Sequence, residues 1–152
     1  MKTNLGIKNI MTTDLVTVNA NASIDELEGI FKANNFHHVP VLNKEGKLVG
    51  IVSREDYYKF HKTLFRNPSI IWMKDEAKGL TVEDMMTSSP LVLDPDDSIG
   101  LAGDIFLSNQ MHALPIVDDG DLVGILTVHD LLAYSFGEPK VENLNLSYSV
   151  SK

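Results

Sequence analysis

The sequence predicts a mixed α/β (α+β) fold built from two copies of one β-α-β-β-α unit. The chain has 152 residues, 43% of them apolar, and no cysteine. A chain of this length buries roughly 70% of the surface that it exposes when unfolded, so it needs neither disulfides nor a metal to hold a core. The second half also aligns with the first at an offset of 75 residues, which falls to 74 after a single gap. The repeat therefore predicts two small, similar domains.

The repeat rests on short matches that keep their order over some fifty positions. The pairs Met-Thr, Ser-Ile and Ile-Phe recur first, and Leu-Val-Gly-Ile and a final Asp follow them in both halves. Chance similarity does not preserve such an order, so the two halves are copies of one unit.

Each unit begins with a predicted short strand and a helix. The apolar runs from Leu15 to Val18 and from Leu91 to Leu93 indicate the strands. The helices begin after Ser23 and Ser98, where a serine side chain can accept from a backbone amide of the first turn; Ser23 and Glu26 have the spacing of a capping box. The apolar residues that follow recur at helical spacing, and Asn34 and Asn109 are suitable helix ends.

Each unit ends with a predicted hairpin and a second helix. The runs VPVL and LVGIVS form the first hairpin, and LPIV and LVGILT form the second. Lys44-Glu45-Gly46 and Asp119-Gly120 supply the turns, and Ser53 and Thr127 begin the closing helices.

Composition and charge exclude several classes of function. The formal net charge is −8, but residues 1–79 carry +2 and residues 80–152 carry −10. An acidic chain does not favour nucleic acid or anionic lipid, since both bind basic surfaces. The apolar runs are too short to span a bilayer, and the first ten residues lack the apolar core of a signal peptide. We therefore expect a soluble, cytoplasmic protein with no nucleic-acid or membrane partner.

The sequence offers no motif for catalysis or for a metal. Phosphate-binding and dinucleotide-binding glycine loops and a nucleophile elbow are all missing from the sequence. His37 and His112 occupy equivalent positions of the repeat, which favours a shared structural role over metal ligation. We expect no enzyme activity, no catalytic residue and no metal site.

The chain resembles the paired cystathionine β-synthase (CBS) domain, or Bateman module. The resemblance is carried by IMT and MMT, by FHHVPVLN and MHALPIVD, and by LVGIVSREDYYK and LVGILTVHDLL. It implies a pseudo-two-fold pair of CBS domains at residues 5–62 and 80–136, a linker at 63–79 and a polar tail at 137–152. It also implies ligand pockets in the cleft between the two copies.

A pattern of the form Gly-h-x-Ser/Thr-x-x-Asp, in which h is apolar, occurs twice. It runs from Gly50 to Asp56 and from Gly124 to Asp130. In the resembled family this pattern supplies a hydroxyl and a carboxylate to the ribose of an adenine nucleotide, and a carboxylate can accept from both vicinal ribose hydroxyls. The competing interpretation is that Ser53 and Thr127 only cap helices, with the aspartates complementing the helix dipole.

The resemblance further implies that each pocket takes residues from both copies. Arg54 could reach either pocket or face solvent. His129 and His38 stand where relatives present groups to phosphate, so we expect phosphates to be preferred in pocket two, the pocket that contains Thr127 and Asp130. Pocket one would combine Ser53 and Asp56 with Thr87, Leu91, His112 and Leu114, and pocket two would combine Thr127 and Asp130 with Thr12, Val16, His37, His38 and Val39.

The function that the resemblance implies is that of a stand-alone regulatory module. It would bind an adenosine-containing ligand of the AMP, ADP or ATP type, with no required cofactor, and signal to a separate, unknown protein as a homodimer. The alternatives are a ligand-free interaction scaffold with vestigial pockets, and binding of NAD, S-adenosylmethionine or a cyclic dinucleotide.

Overall fold

The structure, a computed structural model, describes residues 3–66 and 79–137, without the side chains of residues 63–65. Most of the predicted linker and the tail from residue 138 onward lie outside the described residues. No helix within the two described ranges is long and apolar enough to cross a membrane.

The first copy contains strands β1 to β3 and helices α1 and α2. The strands are Val18–Asn19 (β1), His38–Leu42 (β2) and Leu48–Ser53 (β3), and the helices are Ile24–Ala33 (α1) and Arg54–Arg66 (α2). Ser23 caps α1 as predicted, because its hydroxyl accepts from the amide of Glu26 at 3.1 Å, and α1 ends at Asn34. Helix α2 continues through Arg66, so it extends four residues into the range that the sequence assigned to the linker.

The second copy has the same succession of a short strand, a helix, a hairpin and a second helix, although its first strand aligns with Thr12 and Thr13 of the first copy and not with β1. Strands β4 to β6 are Thr87–Ser88, Ala113–Asp118 and Asp121–Thr127, and helices α3 and α4 are Ile99–Ser108 and Val128–Phe136. Asp119 and Gly120 both have positive φ, which is the backbone that a two-residue hairpin turn requires. The predicted strand at Leu91 to Leu93 was wrong in extent, since only Leu93 makes a bridge, to Ile116.

The two sheets have the same order of segments. The first is β1-β2-β3-β4, with β1 parallel to β2 and the other pairs antiparallel. In the second, β5 and β6 form the central pair, and the bridges Leu93–Ile116 and Thr12–Ile125 take the places of β1 and β4. The fourth position of each sheet is therefore filled by a segment from the other copy.

This exchange of Met-Thr segments joins the two copies into one structure. The segment around Thr87 pairs with β3 of the first copy, and the segment around Thr12 pairs with β6 of the second copy through two backbone hydrogen bonds of 2.9 and 3.0 Å between Thr12 and Ile125. The repeat in the sequence did not predict that the strands are exchanged.

Each exchanged segment also completes the opposite hydrophobic core. Ile7 is fully buried among second-copy residues such as Leu114, and Val82 is fully buried among first-copy residues such as Leu27. Two exposed ion pairs, Lys8–Asp96 at 2.7 Å and Lys47–Asp121 at 2.6 Å, also link the copies. Exposed ion pairs contribute little, so burial of Ile7 and Val82 is the main stabilising term.

A glycine in each sheet allows the exchanged segment to approach. A Cβ at Gly124 would lie 2.6 Å from the Sδ atom of Met11 and 3.2 Å from the carbonyl oxygen of Thr12, and a Cβ at Gly50 would clash with Met86 and lie 3.0 Å from the carbonyl oxygen of Thr87. The glycine of Leu-Val-Gly-Ile and the methionine of Met-Thr are thus contact partners, which explains why the repeat keeps both.

We expect the substitution Gly50→Ala to destabilise the protein by about 1–3 kcal/mol, because overpacking must displace Met86 or the paired backbone of Thr87. Gly29→Ala is the matched control: a Cβ there meets nothing within 4 Å, and alanine within a helix is favoured over glycine by about 0.5–1 kcal/mol. Urea unfolding measures both effects. The double variant Gly50→Ala/Met86→Ala should lose less than the sum of its single changes; equal stability of Gly50→Ala and the parent would contradict the packing account.

Candidate ligand-binding cleft

One cleft of about 1480 Å³ lies between the two copies and receives side chains from both. It is lined by the first turns of α2 and α4, by the ends of the central strands, and by the exchanged segments. Twelve of the fifteen predicted site residues line it: Thr12, Val16, His37, His38, Ser53, Asp56, Thr87, Leu91, His112, Thr127, His129 and Asp130. The structure therefore brings together residues that are more than a hundred positions apart.

Val39 and Leu114 do not line the cleft. Both residues are fully buried in the hydrophobic cores, with 0% of their surface exposed to solvent. Successive side chains of a strand point to opposite faces, so His38 and Pro40 line the cleft while Val39 between them points into the core. Neither residue therefore lines the cleft that the structure describes, and their contact with a ligand stays a prediction.

Arg54, for which the sequence left both pockets and solvent open, is not among the residues that line the cleft. Its Nη2 atom donates to the carbonyl oxygens of Phe31, Asn34 and Phe36 at 2.8, 2.9 and 3.0 Å, and its guanidinium lies 4.9 Å from the centre of the Phe31 ring. These carbonyls belong to the end of α1 and the loop after it, where helical carbonyls lack partners. Arg54 therefore fixes the loop that leads to β2.

The two Ser/Thr-x-x-Asp motifs form the same hydrogen-bonded box. The Ser53 amide donates to Asp56 Oδ2 and the Asp56 amide donates to Ser53 Oγ, each at 2.9 Å. The Thr127 and Asp130 pair does the same at 2.9 and 3.1 Å. Helix capping is thus present at both motifs, and it also fixes the position of each carboxylate in the cleft.

A contact between the copies connects one of these carboxylates to the exchanged segment. The Thr12 hydroxyl donates to Asp130 Oδ1 at 3.3 Å, and its distance to Oδ2 is 3.5 Å. Residues of the first copy thus lie directly against the aspartate of the second copy. We call the region around Thr12 and Asp130 half-site two, and the region around Thr87 and Asp56 half-site one.

His38 lies within electrostatic reach of His112, His37 and Asp56. Burial lowers its pKa below the ordinary histidine value, and His112 and His37 lower it further, whereas the Asp56 carboxylate opposes the change. The sequence assigned His38 to pocket two, yet Asp56 and His112 were assigned to pocket one.

Several lining residues were missed from the sequence. Ile51 and Ile125, which are equivalent positions of the repeat, give both half-sites an apolar wall. Asp14 and Lys59 add charge, and Lys59 Nζ lies 3.1 Å from Glu55 Oε1. Asp14 could have been predicted to line the cleft, because it lies two positions after Thr12 in the sequence. Ile51 could not, because its place in the cleft depends on the pairing of β3 with the exchanged segment.

The described side chains contain no group of three or more histidine, aspartate or glutamate residues arranged to hold a metal ion.

Comparison with known proteins identifies similar chains. An uncharacterized protein of Methanocaldococcus jannaschii is 34% identical in an alignment of 149 positions that covers 83% of this chain and 88% of the relative. The crystal structure of CBSX2 in complex with AMP superposes with a TM-score of 0.72 at 28% identity, covering 86% of this chain and 95% of that one. A CBS domain pair crystallised with 5′-methylthioadenosine and S-adenosyl-L-methionine has a TM-score of 0.71 at 26% identity, covering 89% and 98%.

Enzymes also match this chain, but only over a small part of their own length. A homoserine O-acetyltransferase of Methanohalobium evestigatum is 29% identical over 82% of this chain, which is 23% of the enzyme. In such proteins the matching region is one part of a larger chain. The family profile of the CBS domain matches residues 7–61 and 82–137, and with two such domains in tandem the chain belongs to the CBS domain family.

Proposed function

We propose that this protein is a regulatory module that binds an adenosine-containing ligand in the cleft between its two CBS domains and signals to a separate protein. The observation that carries the proposal is the pair of fixed carboxylates, Asp56 and Asp130, each at the mouth of a half-site that both copies build. This is a binding role, and no step of the proposal requires catalysis or a resident cofactor.

The chemistry of each half-site suits a nucleoside. An ionised carboxylate can accept from both vicinal hydroxyls of a ribose. Beside it lie aliphatic side chains that can cover a purine base: Ile51 and Leu91 from the residues of half-site one, and Ile125 and Val16 from those of half-site two. Leu91 and Val16 are 49% and 38% exposed, so a bound base would remove apolar surface from water.

The complexes of similar proteins support this choice of ligand. CBSX2 was crystallised with AMP, and another CBS domain pair with 5′-methylthioadenosine and S-adenosyl-L-methionine. All three compounds share adenosine and differ at the 5′ position. We therefore propose that this chain also binds a ligand that contains adenosine. A cytoplasmic location stays a prediction from the sequence.

Exposed apolar side chains on both helices of the second copy support assembly of two chains. Leu107 on α3 and Phe136 on α4 are 88% and 78% exposed, whereas Lys32 and Lys62 occupy the aligned positions of the first copy. Exposed apolar surface favours a protein contact. We propose that these two helices form the homodimer contact.

The double substitution Leu107→Lys/Phe136→Lys should convert the dimer to a monomer, because it places charge in the apolar contact. Sedimentation equilibrium measures the mass, and an unchanged mass would contradict the proposed contact.

The roles of the two carboxylates are tested by Asp56→Asn and Asp130→Asn. Asparagine retains an oxygen that can accept from Ser53 or Thr127, so the helix cap survives while the charge is lost. Hydrogen bonds to charged groups contribute about 1.5–3 kcal/mol, so adenosine affinity should fall about tenfold to a hundredfold at the altered half-site. Isothermal titration with adenosine measures the loss.

The matched control is Asp97→Asn. Asp97 accepts from a backbone amide three residues earlier, that of Asp94, at 2.8 Å, and it lies beside the start of α3 but not in the cleft. It should lower stability slightly and leave adenosine affinity unchanged. If the parent protein binds no nucleoside at millimolar concentration and shows no rise in melting temperature, the scaffold alternative replaces the proposed function.

A further inference from the structure

Histidine is concentrated in the cleft. The chain has five histidines, and four of them line the cleft: His37 and His38 from the first copy, and His112 and His129 from the second. We call these four residues the histidine cluster. The fifth, His61, is exposed on α2 and is not a lining residue. Histidine is the side chain whose charge ordinarily changes between pH 5 and 8, so acid can add positive charge to both walls of the cleft.

His38 lies in surroundings that disfavour a positive charge. It is half-buried, and burial lowers the pKa of its imidazole below the ordinary value of 6.5. Positive charge on His112 and His37 lowers this pKa further, and the Asp56 carboxylate opposes the change only in part. Because His112 belongs to the other copy, some of this cost is repulsion between the copies. The other charged groups that line the cleft are the carboxylates of Asp14, Glu55 and Asp130 and the ammonium group of Lys59.

The backbone around His38 is fixed within the first copy. The His37 carbonyl oxygen accepts from the Arg54 amide at 2.7 Å, and the Arg54 side chain donates to the carbonyl oxygen of Phe36 at 3.0 Å. His38 itself is paired with Ser53 across β2 and β3. These two histidines therefore cannot retreat from the second copy without breaking contacts of their own copy.

The equivalent loop of the second copy does not have the arginine clamp. The His112 carbonyl oxygen accepts from the Val128 amide at 3.0 Å, as its counterpart does in the first copy. Val128 stands at the position of Arg54, however, and a valine side chain has no donor for the loop carbonyls. Repulsion between His38 and His112 is therefore relieved most easily by movement of the second copy.

We infer that the histidine cluster makes the contact between the two copies sensitive to acid: neutral imidazoles let the copies lie together around the cleft, and protonation weakens the strand exchange that joins them. This inference goes beyond the proposed function, because it concerns the protein without any ligand. The fold then contains a pH-dependent device that loosens the second copy from the first.

The direction of the effect follows from the environment of His38. Well above pH 6.5 the imidazole is neutral in both the folded and the unfolded state, and the contact keeps its full stability. As the pH falls through 6.5, the unfolded chain binds a proton that the folded protein resists, so the free energy of unfolding decreases. For each proton that the unfolded state binds in excess, the unfolding equilibrium constant rises by up to about tenfold per pH unit.

Urea unfolding of the full chain without ligand, at pH 8 and at pH 5.5, tests the inference. We expect the unfolding equilibrium constant of the parent protein to rise by about tenfold between these two conditions. His38→Gln should reduce this rise by about threefold or more, because the glutamine amide stays neutral at both pH values. His112→Gln should reduce it by a smaller factor, since the burial of His38 remains.

His61→Gln is the matched control. Lys32 and, after it, His61 lower the pKa of the Glu28 carboxyl, so a proton on His61 meets attraction where a proton on His38 meets repulsion. Removing His61 should therefore not reduce the rise in the unfolding constant toward pH 5.5.

Amide hydrogen exchange locates the effect within the fold. The amides of Thr12 and Ile125 join the two copies through hydrogen bonds of 2.9 and 3.0 Å. After correction for the intrinsic pH dependence of exchange, their protection should fall by about threefold or more from pH 8 to pH 6. The amides of the β2–β3 hairpin, which is formed within the first copy, should lose less protection.

Three outcomes would overturn the inference. They are an unfolding constant that does not rise toward pH 5.5, a rise that His38→Gln retains in full, and an equal loss of protection at Thr12 and in the β2–β3 hairpin. In the last case acid would destabilise the whole fold and not the contact between the copies. Because these measurements contain no ligand, each of the three results leaves the proposed adenosine site to its own titrations.

Discussion

The contact of a methionine side chain with a glycine of the opposite sheet is the constraint on which the rest of the structure depends. Met11 covers Gly124 and Met86 covers Gly50, and a Cβ at either glycine would occupy the same space. Because these contacts form, each Met-Thr segment adds to the sheet of the other copy and buries Ile7 or Val82 in the opposite core. Neither copy has a complete sheet or a complete core without the other.

The cleft is a consequence of this exchange. Thr12 reaches Asp130 only because its segment lies on β6, and Thr87 lies in the same cleft because its segment lies on β3. A ligand in either half-site would therefore touch both copies. Since a ligand shifts a structure only through its different affinity for two arrangements, contacts that join the copies are where binding could alter their relation.

Local patterns in the sequence predicted local structure well, and they failed where the two copies interact. The caps at Ser23, Ser98 and Thr127 and both hairpins were predicted because they depend on neighbouring residues. The repeat shows which residues are equivalent but not which strands they pair with, so the strand exchange was missed, although the resemblance had placed Thr12 with Asp130 and Thr87 with Asp56. Val39 and Leu114 do not line the cleft because the face of a strand depends on register, and Arg54 does not because its carbonyl partners come from the end of another helix and the loop after it.

The charges of the protein are distributed unevenly, and the net charge does not show this. Basic residues of the first copy form ion pairs with acidic residues of the second at Lys8–Asp96 and Lys47–Asp121, while the cleft between the copies is lined by four carboxylates.

The central claim is that adenosine binds in this cleft through Asp56 or Asp130. A crystal structure of the protein with 5′-methylthioadenosine tests it most directly. The account predicts ribose hydroxyls within hydrogen-bond distance of one of these carboxylates and the base against Ile51 or Ile125; ligand bound elsewhere, or an empty cleft at saturating concentration, would contradict it.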